Sequence, residues 1–481
     1  MLFNSLGFAI FLPVVFIIYW LASNKLAWQN IFLLAVSCFF YACWDWRFLF
    51  LLLFSILLDF FSGIKIAETD NKRKRLFWLW LSISINLGFL VVFKYYNFFA
   101  DSFAIAVGHL GWKISPWTLG IVLPVGISFY TFHGLSYIID VYKKRIPAER
   151  NFIDYALFVS FFPLLVAGPI ERADHLLPQI KRPRIFQYDR AIDGLRQILW
   201  GLFKKVVIAD SCAGYVNFVF SNPESHPGSA HLLAAVFFAV QIYCDFSGYS
   251  DIALGTARLL GFELLRNFAF PYFSRDIAEF WRRWHISLSS WFRDYLYIPL
   301  GGSKVGTGKK IRNVLIIFLV SGCWHGANWT FIFWGLLNAL YVVPSVLFKT
   351  NRNHLDIVAQ GRVFPSLKEL LSMTATFTLT VFAWIFFRSD SLASAFLFIR
   401  KIFSQSLFWR IPKTEFLKAP FMLPLAIFFI IEWMGREEQY AIARLDIKWP
   451  KAVRYSTYYA LFFYVMYYAS GVSQQFIYFQ F

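Results

Sequence analysis

The sequence predicts an all-α, polytopic membrane protein, and composition and patterning both support that fold class. Of the 481 residues, 58% are hydrophobic and only 15% are charged. Soluble domains have about 45–50% apolar and about 25% charged residues, so a soluble fold is excluded. Apolar runs approach the length of about 20 residues that a spanning helix needs. Because no long polar stretch interrupts them, we expect one membrane domain over residues 1–481.

The apolar runs predict about 11–12 membrane segments, some of them broken or re-entrant. The run 152–169 contains Pro163 and the pair Gly168–Pro169, which break helices, and it has basic residues on both sides. Such an element is tolerated at membrane depth only where protein buries it, so we expect a re-entrant segment there. The runs are 5–22, 29–43, 48–64, 76–99, 117–141, 152–169, 194–220, 230–257, 313–323 with 329–348, 369–387, 420–434 and 454–470.

The distribution of charge predicts an orientation. The net charge is +18, and residues 258–312 contain ten Lys or Arg. By the positive-inside rule that region faces the cytoplasm and the N-terminus lies outside, although the basic stretch 388–419 does not fit the alternation. We expect contact with anionic lipid and no nucleic-acid partner, because no soluble basic face exists. The five cysteines form no metal-binding or disulfide pattern, and no metal site is expected.

Residues 258–312 interleave aromatic and basic side chains, which predicts amphipathic helices at the cytoplasmic interface followed by a flexible basic loop from Gly301. One interpretation of these basic residues is that they are the ordinary positive charge of a cytoplasmic membrane surface. The alternative is docking of a phosphorylated cofactor, since arginine binds phosphate through two hydrogen bonds. The spacing of glycines over 301–308 is not that of a nucleotide-binding loop. The candidate cofactor-binding residues are Arg282, Arg283, Lys304, Lys309 and Arg312.

His325 lies between two apolar runs and is the first candidate catalytic residue. Gly322 and Gly326 flank it, which indicates a local helix break and close approach of a substrate to the backbone. A broken helix in a membrane lines a cavity, and a histidine there is suited to general-base catalysis. The alternative is a packing histidine bonded to a carbonyl. Trp324 and Asn328 are candidate oxyanion partners beside it.

His285 is the second candidate catalytic residue, 40 residues upstream on the aromatic and basic stretch. It either lines a tunnel and assists proton movement or is an interfacial histidine without a catalytic role. Asp245 and Asp251 lie in an apolar run near Gly248, where a carboxylate is functional or ion-paired. Asp245 is kept as a tunnel candidate, and we expect both carboxylates to pair with arginines.

The chain lacks a Gly-x-Ser-x-Gly elbow and a His-Glu-x-x-His motif. Because both motifs are missing, a histidine base fits direct transfer of an acyl group from a thioester donor to an acceptor hydroxyl.

At these residues the chain resembles the membrane-bound O-acyltransferase family, and within it the bacterial alginate O-acetyltransferase branch. The likeness runs from about residue 123 to residue 335 and extends to the number of flanking spans. The motifs that carry it are Leu123–Phe132, Val166–Arg172, Gln241–Asp251, Phe280–Gly302 and Cys323–Trp329.

The resemblance implies helices around a central tunnel, with His325 as the catalytic histidine and His285 as a second polar residue in the tunnel. It implies acetyl-CoA as the acyl donor, no permanently bound cofactor, and a polysaccharide acceptor outside the cytoplasmic (inner) membrane of a bacterium. An extracytoplasmic acetyltransferase or esterase-like partner protein is also implied, since the chain has no such fused domain.

Three alternatives stay open at this point. Broken helices with intramembrane His and Asp suit a transporter, although the sequence has no internal repeat. A structural subunit of an export complex would not need His325. Within the enzyme class, a D-alanyl transferase acting on teichoic acid is a close relative that uses a carrier protein as donor.

Overall fold

A computed structural model describes residues 1–21, 25–112, 114–120, 122–166, 168–412, 419–445, 449–469 and 476–477. Within these ranges the chain forms α, 3-10 and π helices and no β-strand. The predicted all-α class is therefore confirmed.

Among the described residues, five helices are long and apolar enough to span a membrane, and three further apolar helices are shorter. The chain is thus a multi-pass membrane protein, as predicted. The five are Arg47–Glu68, Lys72–Gly108, Gly228–Leu259, Trp329–Leu347 and Leu367–Arg388, and the shorter three are Leu6–Leu21, Leu26–Ala42 and Phe421–Met434.

The α-helices are numbered in chain order. They are α1 Leu6–Leu21, α2 Leu26–Ala42, α3 Arg47–Glu68, α4 Lys72–Leu90, α5 Tyr96–Gly108, α6 Ile127–Tyr142, α7 Phe152–Ser160, α8 Phe162–Leu165, α9 Ala173–Ile180, α10 Tyr188–Leu202, α11 Asp210–Phe220, α12 Gly228–Leu259, α13 Ile277–Arg283, α14 Ile286–Phe292, α15 Thr307–His325, α16 Trp329–Leu347, α17 Leu367–Arg388, α18 Leu392–Ile402, α19 Ala419–Met434 and α20 Lys451–Ala469.

The helices form two compact units. The first contains residues 1–190 and 256–265, and the second contains residues 191–255 and 266–481. In the first unit, α7 and α8 are separated by a break at Phe161, and every residue from Asp154 to Val166 is buried. This broken, buried element agrees with the prediction for residues 152–169.

Two predicted boundaries are wrong. Of the described residues in the run 117–141, those from Ile127 onward are helical, because Pro124 and a left-handed Gly126 precede the helix and prevent its extension backwards. The expected flexible basic loop ends at Gly306 and α15 begins at Thr307, so Lys309 and Arg312 belong to the first turns of a helix.

Glycines bring α10 and α12 together in the second unit. A methyl group on Gly201 would lie 2.6 Å from the carbonyl oxygen of Gly248, and one on Gly248 would lie 2.8 Å from the carbonyl oxygen of Gly201. Small residues at facing positions let helix backbones approach closely in membrane proteins. This contact sets the start of the π-helical turn Phe203–Ala209 against the middle of α12.

Candidate active site

His325 is the last residue of α15 and is buried, with 5% of its surface exposed. The helix stops because Gly326 has extended backbone, and α16 begins three residues later at Trp329. Asn328 caps α16 by accepting a hydrogen bond from the Thr330 amide at 3.0 Å. The predicted break beside His325 is therefore confirmed.

The glycines around His325 were predicted to let a substrate approach the backbone, but they serve to pack one helix against the next. A methyl group on Gly322 would overlap the carbonyl oxygen of Phe331, and one on Gly326 would overlap the Phe331 ring. Gly335 on α16 packs in the same way against Phe318 of α15. These glycines permit close packing of α15 on α16 and leave no room for a substrate at those positions.

Aromatic rings surround the imidazole of His325. Its ring centroid lies 5.1 Å from that of Trp334 and 5.2 Å from that of Phe387. Trp334 in turn stacks on Trp384 at 5.7 Å. This packing fixes the position of the imidazole through rigid side chains of α16 and α17.

His285 lies between α13 and α14, at a second helix break. Its backbone φ is 43°, in the left-handed region that non-glycine residues rarely adopt, and only 1% of its surface is exposed. Such a conformation persists only where the surrounding structure holds it in place, and it is common at functional sites.

Asn267 provides that restraint, and sequence reasoning missed it. Its side-chain oxygen lies 3.0 Å from Nδ1 of His285 and accepts from the hydroxyl of Ser287 at 3.0 Å and from the Ser287 amide at 3.4 Å. Its backbone oxygen accepts from the amide of Ile286 at 2.9 Å, and its Nδ2 donates to Ser250 Oγ at 3.3 Å. Asn267 therefore binds the residue at the break and the first two residues of α14.

These contacts determine the tautomer of His285. The Ser287 amide must donate, so the Asn267 atom that it meets is the oxygen, which can only accept. Nδ1 of His285 therefore carries the proton, and Nε2 has the lone pair. Burial also lowers the pKa of His285 to about 3, so the ring is neutral near pH 7.

Trp324 contacts both histidines. Its ring centroid is 5.9 Å from that of His285 and 4.9 Å from that of His325. His285 also contacts Phe246 of α12 at 4.6 Å. Both predicted catalytic residues therefore belong to one buried aromatic cluster within the second unit.

Asn328, a predicted oxyanion partner, has both amide atoms committed to structure. Its oxygen caps α16, and its Nδ2 donates to the carbonyl of Asp390 at 3.0 Å. This geometry gives Asn328 a role in positioning α16. Trp324, the other predicted partner, is the one whose ring contacts both histidines.

The carboxylates of α12 pair with lysines, so the predicted pairing with arginines is wrong. Lys205 Nζ lies 2.8 Å from Asp245 and 2.8 Å from Asp210, and Lys204 Nζ lies 2.5 Å from Asp251. Two consecutive lysines in the π-helical turn thus neutralise carboxylates that are six residues apart. Asp245, the tunnel candidate, is buried and ion-paired.

The five predicted cofactor-binding cations fall into two groups. Arg282 donates to the carbonyls of Asn351 at 2.7 Å and His354 at 2.6 Å, and Arg283 pairs with Glu279 at 2.8 Å. These two guanidinium groups hold the segment 351–356 against α13. The other three are exposed around the start of α15: Lys304, Lys309 and Arg312.

Known proteins resemble this chain in the same region. The sequence model of the membrane-bound O-acyltransferase family matches residues 141–387, which include both histidines and the residues around them. The chain belongs to the membrane-bound O-acyltransferase family. It is therefore an acyltransferase, and the resemblance found in the sequence motifs is confirmed.

Individual members of the family differ in what they are named for. A probable alginate O-acetylase of Pseudomonas aeruginosa is 40% identical over 407 residues, covering 84% of this chain and 75% of its own. A peptidoglycan O-acetyltransferase of Helicobacter pylori is 37% identical over 428 residues, covering 82% and 78%. A teichoic acid D-alanyltransferase of Bacillus subtilis is 28% identical over 231 residues, covering 45% and 57%.

Proposed function

We propose that this acyltransferase moves an acetyl group from cytoplasmic acetyl-CoA to a hydroxyl group of an extracytoplasmic polysaccharide, in the inner membrane of a bacterium. The observation that carries the proposal is the convergence of His285 and His325 on Trp324 in the region matched by the family. The relatives named for O-acetylation are more similar to this chain than the one named for D-alanylation, which supports acetyl as the group transferred.

His325 is the general base of the proposed reaction. It takes the proton of the acceptor hydroxyl while the hydroxyl oxygen attacks the carbonyl carbon of the thioester. The carbon–sulfur bond breaks, an ester forms, and the thiolate leaves with the proton that His325 returns. The reaction needs no external oxidant or metal, and general-base catalysis contributes about 10²–10⁴-fold to the rate.

His285 supports this step as a neutral imidazole. With its proton on Nδ1 and bound to Asn267, Nε2 is an acceptor that can orient the attacking hydroxyl group. Asn267 is a positioning residue, because it acts through His285. The Trp324 ring packs against both imidazoles and keeps water away from the reacting atoms.

The phosphates of acetyl-CoA would dock near the start of α15. Lys304, Lys309 and Arg312 are exposed there, and a helix N-terminus adds backbone N–H groups and a favourable dipole. Arg282 and Arg283 are proposed to shape the region where the donor docks, because hydrogen bonds hold their guanidinium groups on the segment 351–356.

The acceptor is proposed to be alginate, peptidoglycan or another cell-surface glycan, reached through an extracytoplasmic partner protein. The names of the similar proteins support a polysaccharide acceptor. Only the side chains that contact the acceptor can select one glycan hydroxyl group over another.

The test is transfer of label from acetyl-CoA by the full-length protein in proteoliposomes. Alginate, peptidoglycan fragments and a glycan-free control are supplied with and without an extract of extracytoplasmic proteins. We expect release of free CoA and labelled ester only when a suitable glycan is present. Transfer solely from a D-alanyl carrier protein, or no acyl transfer with any donor, would contradict the proposal.

A further inference from the structure

An arginine-lined cavity lies in the first unit, apart from the residues of the proposed reaction. Its volume is ≈ 250 Å³, and its walls come from the end of α1, the segment after α9 and the end of α12. Four arginines line it: Arg182, Arg184, Arg190 and Arg258. Four guanidinium groups around one cavity favour an anionic ligand.

Two of the four arginines are committed to the protein. Arg184 is buried and donates to the hydroxyl of Tyr19 at 2.9 Å and to the side chain of Asn30 at 2.6 Å. Arg258 pairs with Glu263 at 3.2 Å. Their hydrogen bonds build the wall of the cavity and hold it to α1 and α2.

Arg182 and Arg190 are the two that can bind a ligand. Both are exposed at the cavity, and neither guanidinium group has a hydrogen bond or ion pair among the described residues. Gln187 lies beside them on the same wall and adds an amide donor. Two guanidinium groups and an amide match the oxygens of one phosphate group.

The position of the cavity points to a lipid. Along α1, Ile10, Val14 and Ile17 are 50–60% exposed, which indicates a face in contact with acyl chains. Trp20 of the same helix lines the cavity, and Ile185 beside it is 77% exposed. Tryptophan and apolar residues next to arginine are typical of the level at which lipid headgroups lie.

We propose that this cavity binds the phosphate of an anionic phospholipid, with Arg182 and Arg190 on the headgroup and the acyl chains along α1. The orientation predicted from loop charge places the end of α1 on the cytoplasmic side, where basic residues near the membrane surface attract anionic lipids. A soluble phosphorylated donor has the same phosphate chemistry. The exposed apolar rim of the cavity favours the lipid.

Native mass spectrometry of the full-length protein tests this proposal. The protein is released from nanodiscs that contain phosphatidylglycerol and phosphatidylcholine in equal amounts, and retained lipids are counted. We expect retained phosphatidylglycerol on the unmodified protein and at least a tenfold loss of it on Arg182→Ala/Arg190→Ala. The matched control is Lys72→Ala/Lys74→Ala, which removes two exposed charges from the start of α4 and should retain the lipid.

A second variant guards against a folding defect. Gln187→Glu keeps all four arginines and changes one exposed side chain, and its carboxylate should repel phosphate and also reduce retention. Equal retention of phosphatidylglycerol by the unmodified protein and both cavity variants would overturn the proposal. Displacement of the retained lipid by millimolar CoA would assign the cavity to the soluble donor and would overturn the lipid assignment.

Discussion

The helix breaks at His325 and at His285 each position an imidazole, but they do so by different means. At His325 the backbone is extended, and glycine-mediated packing of α15 on α16 together with aromatic rings holds the imidazole. At His285 the backbone is left-handed, and one polar residue, Asn267, holds the imidazole through hydrogen bonds. One histidine thus depends on shape, and the other depends on a hydrogen-bond network with a defined tautomer.

At the His285 break, the largest effect should come from removing Nε2 while keeping the donor that bonds to Asn267. His285→Asn keeps a donor for Asn267 and suits a left-handed backbone, but it lacks Nε2. We expect a fall in kcat of about 10²-fold or more, within the range for a group that assists proton transfer. Steady-state release of CoA measures it.

The matched control for that variant is Ser289→Ala, which changes a side chain on the same short helix, α14. Full activity of His285→Asn, in protein with normal thermal stability, would reduce His285 to a packing residue.

Gly322→Val should disturb His325 through shape alone. The added side chain meets the backbone of Phe331, so α15 and α16 must move apart. Overpacking of this kind costs about 1–3 kcal/mol, and we expect a lower melting temperature together with lower activity. Gly308→Ala is the control, because no atom lies within 4 Å of its added carbon. Equal stability of the two variants would refute the proposed packing.

The buried neutral His285 should make stability depend on pH. Burial lowers its pKa to about 3, whereas the unfolded chain binds this proton near pH 6.5. Lowering the pH from 6.5 towards 3 therefore destabilises the folded protein, by about 1.4 kcal/mol per pH unit, or roughly 2 kcal/mol at pH 5.

Melting temperatures of the unmodified protein and His285→Asn, compared at pH 7.5 and pH 5, measure this contribution. The unmodified protein should lose more stability on acidification than the variant does. Parallel losses in the two proteins would show that His285 does not change its protonation on unfolding.

Asn267→Asp should give the smallest change and the most specific one. The carboxylate still accepts from His285 and Ser287, but its charge raises the pKa of His285 and favours the protonated ring. A nearby opposite charge raises a pKa by about 1–3 units, so we expect about a tenfold fall in kcat near pH 5, with recovery at higher pH. Ser250→Ala removes a contact of Asn267 that does not involve His285 and should leave the pH profile unchanged. Identical pH profiles of Asn267→Asp and the unmodified protein would contradict the positioning role.

The sequence predicted well what depends on local pattern. The all-α class, the buried break in residues 152–169 and the break after His325 follow from apolar runs and from Pro and Gly. The residue types also led to the family, since the motifs lie in the region that its sequence model matches.

What the sequence did not reveal depends on residues that meet only in the folded chain. Asn267 lies 18 residues from His285 in a segment without a motif, so no local signal marks it. The partners of Asp245 and Asp251 are 40 or more residues away, and a lysine there carries the same positive charge as an arginine. From the sequence, Gly322 was predicted to leave room for a substrate, because its actual neighbour, Phe331, belongs to the next helix along the chain.

The most direct test of His325 as the general base is the rate of acceptor-dependent acetyl transfer by His325→Ala and by the unmodified protein, in parallel proteoliposomes with equal protein content. We predict a fall of about 10²–10⁴-fold for His325→Ala, with CoA binding preserved. Unchanged transfer by His325→Ala would contradict its role as the base and, with it, the proposed reaction at the aromatic cluster.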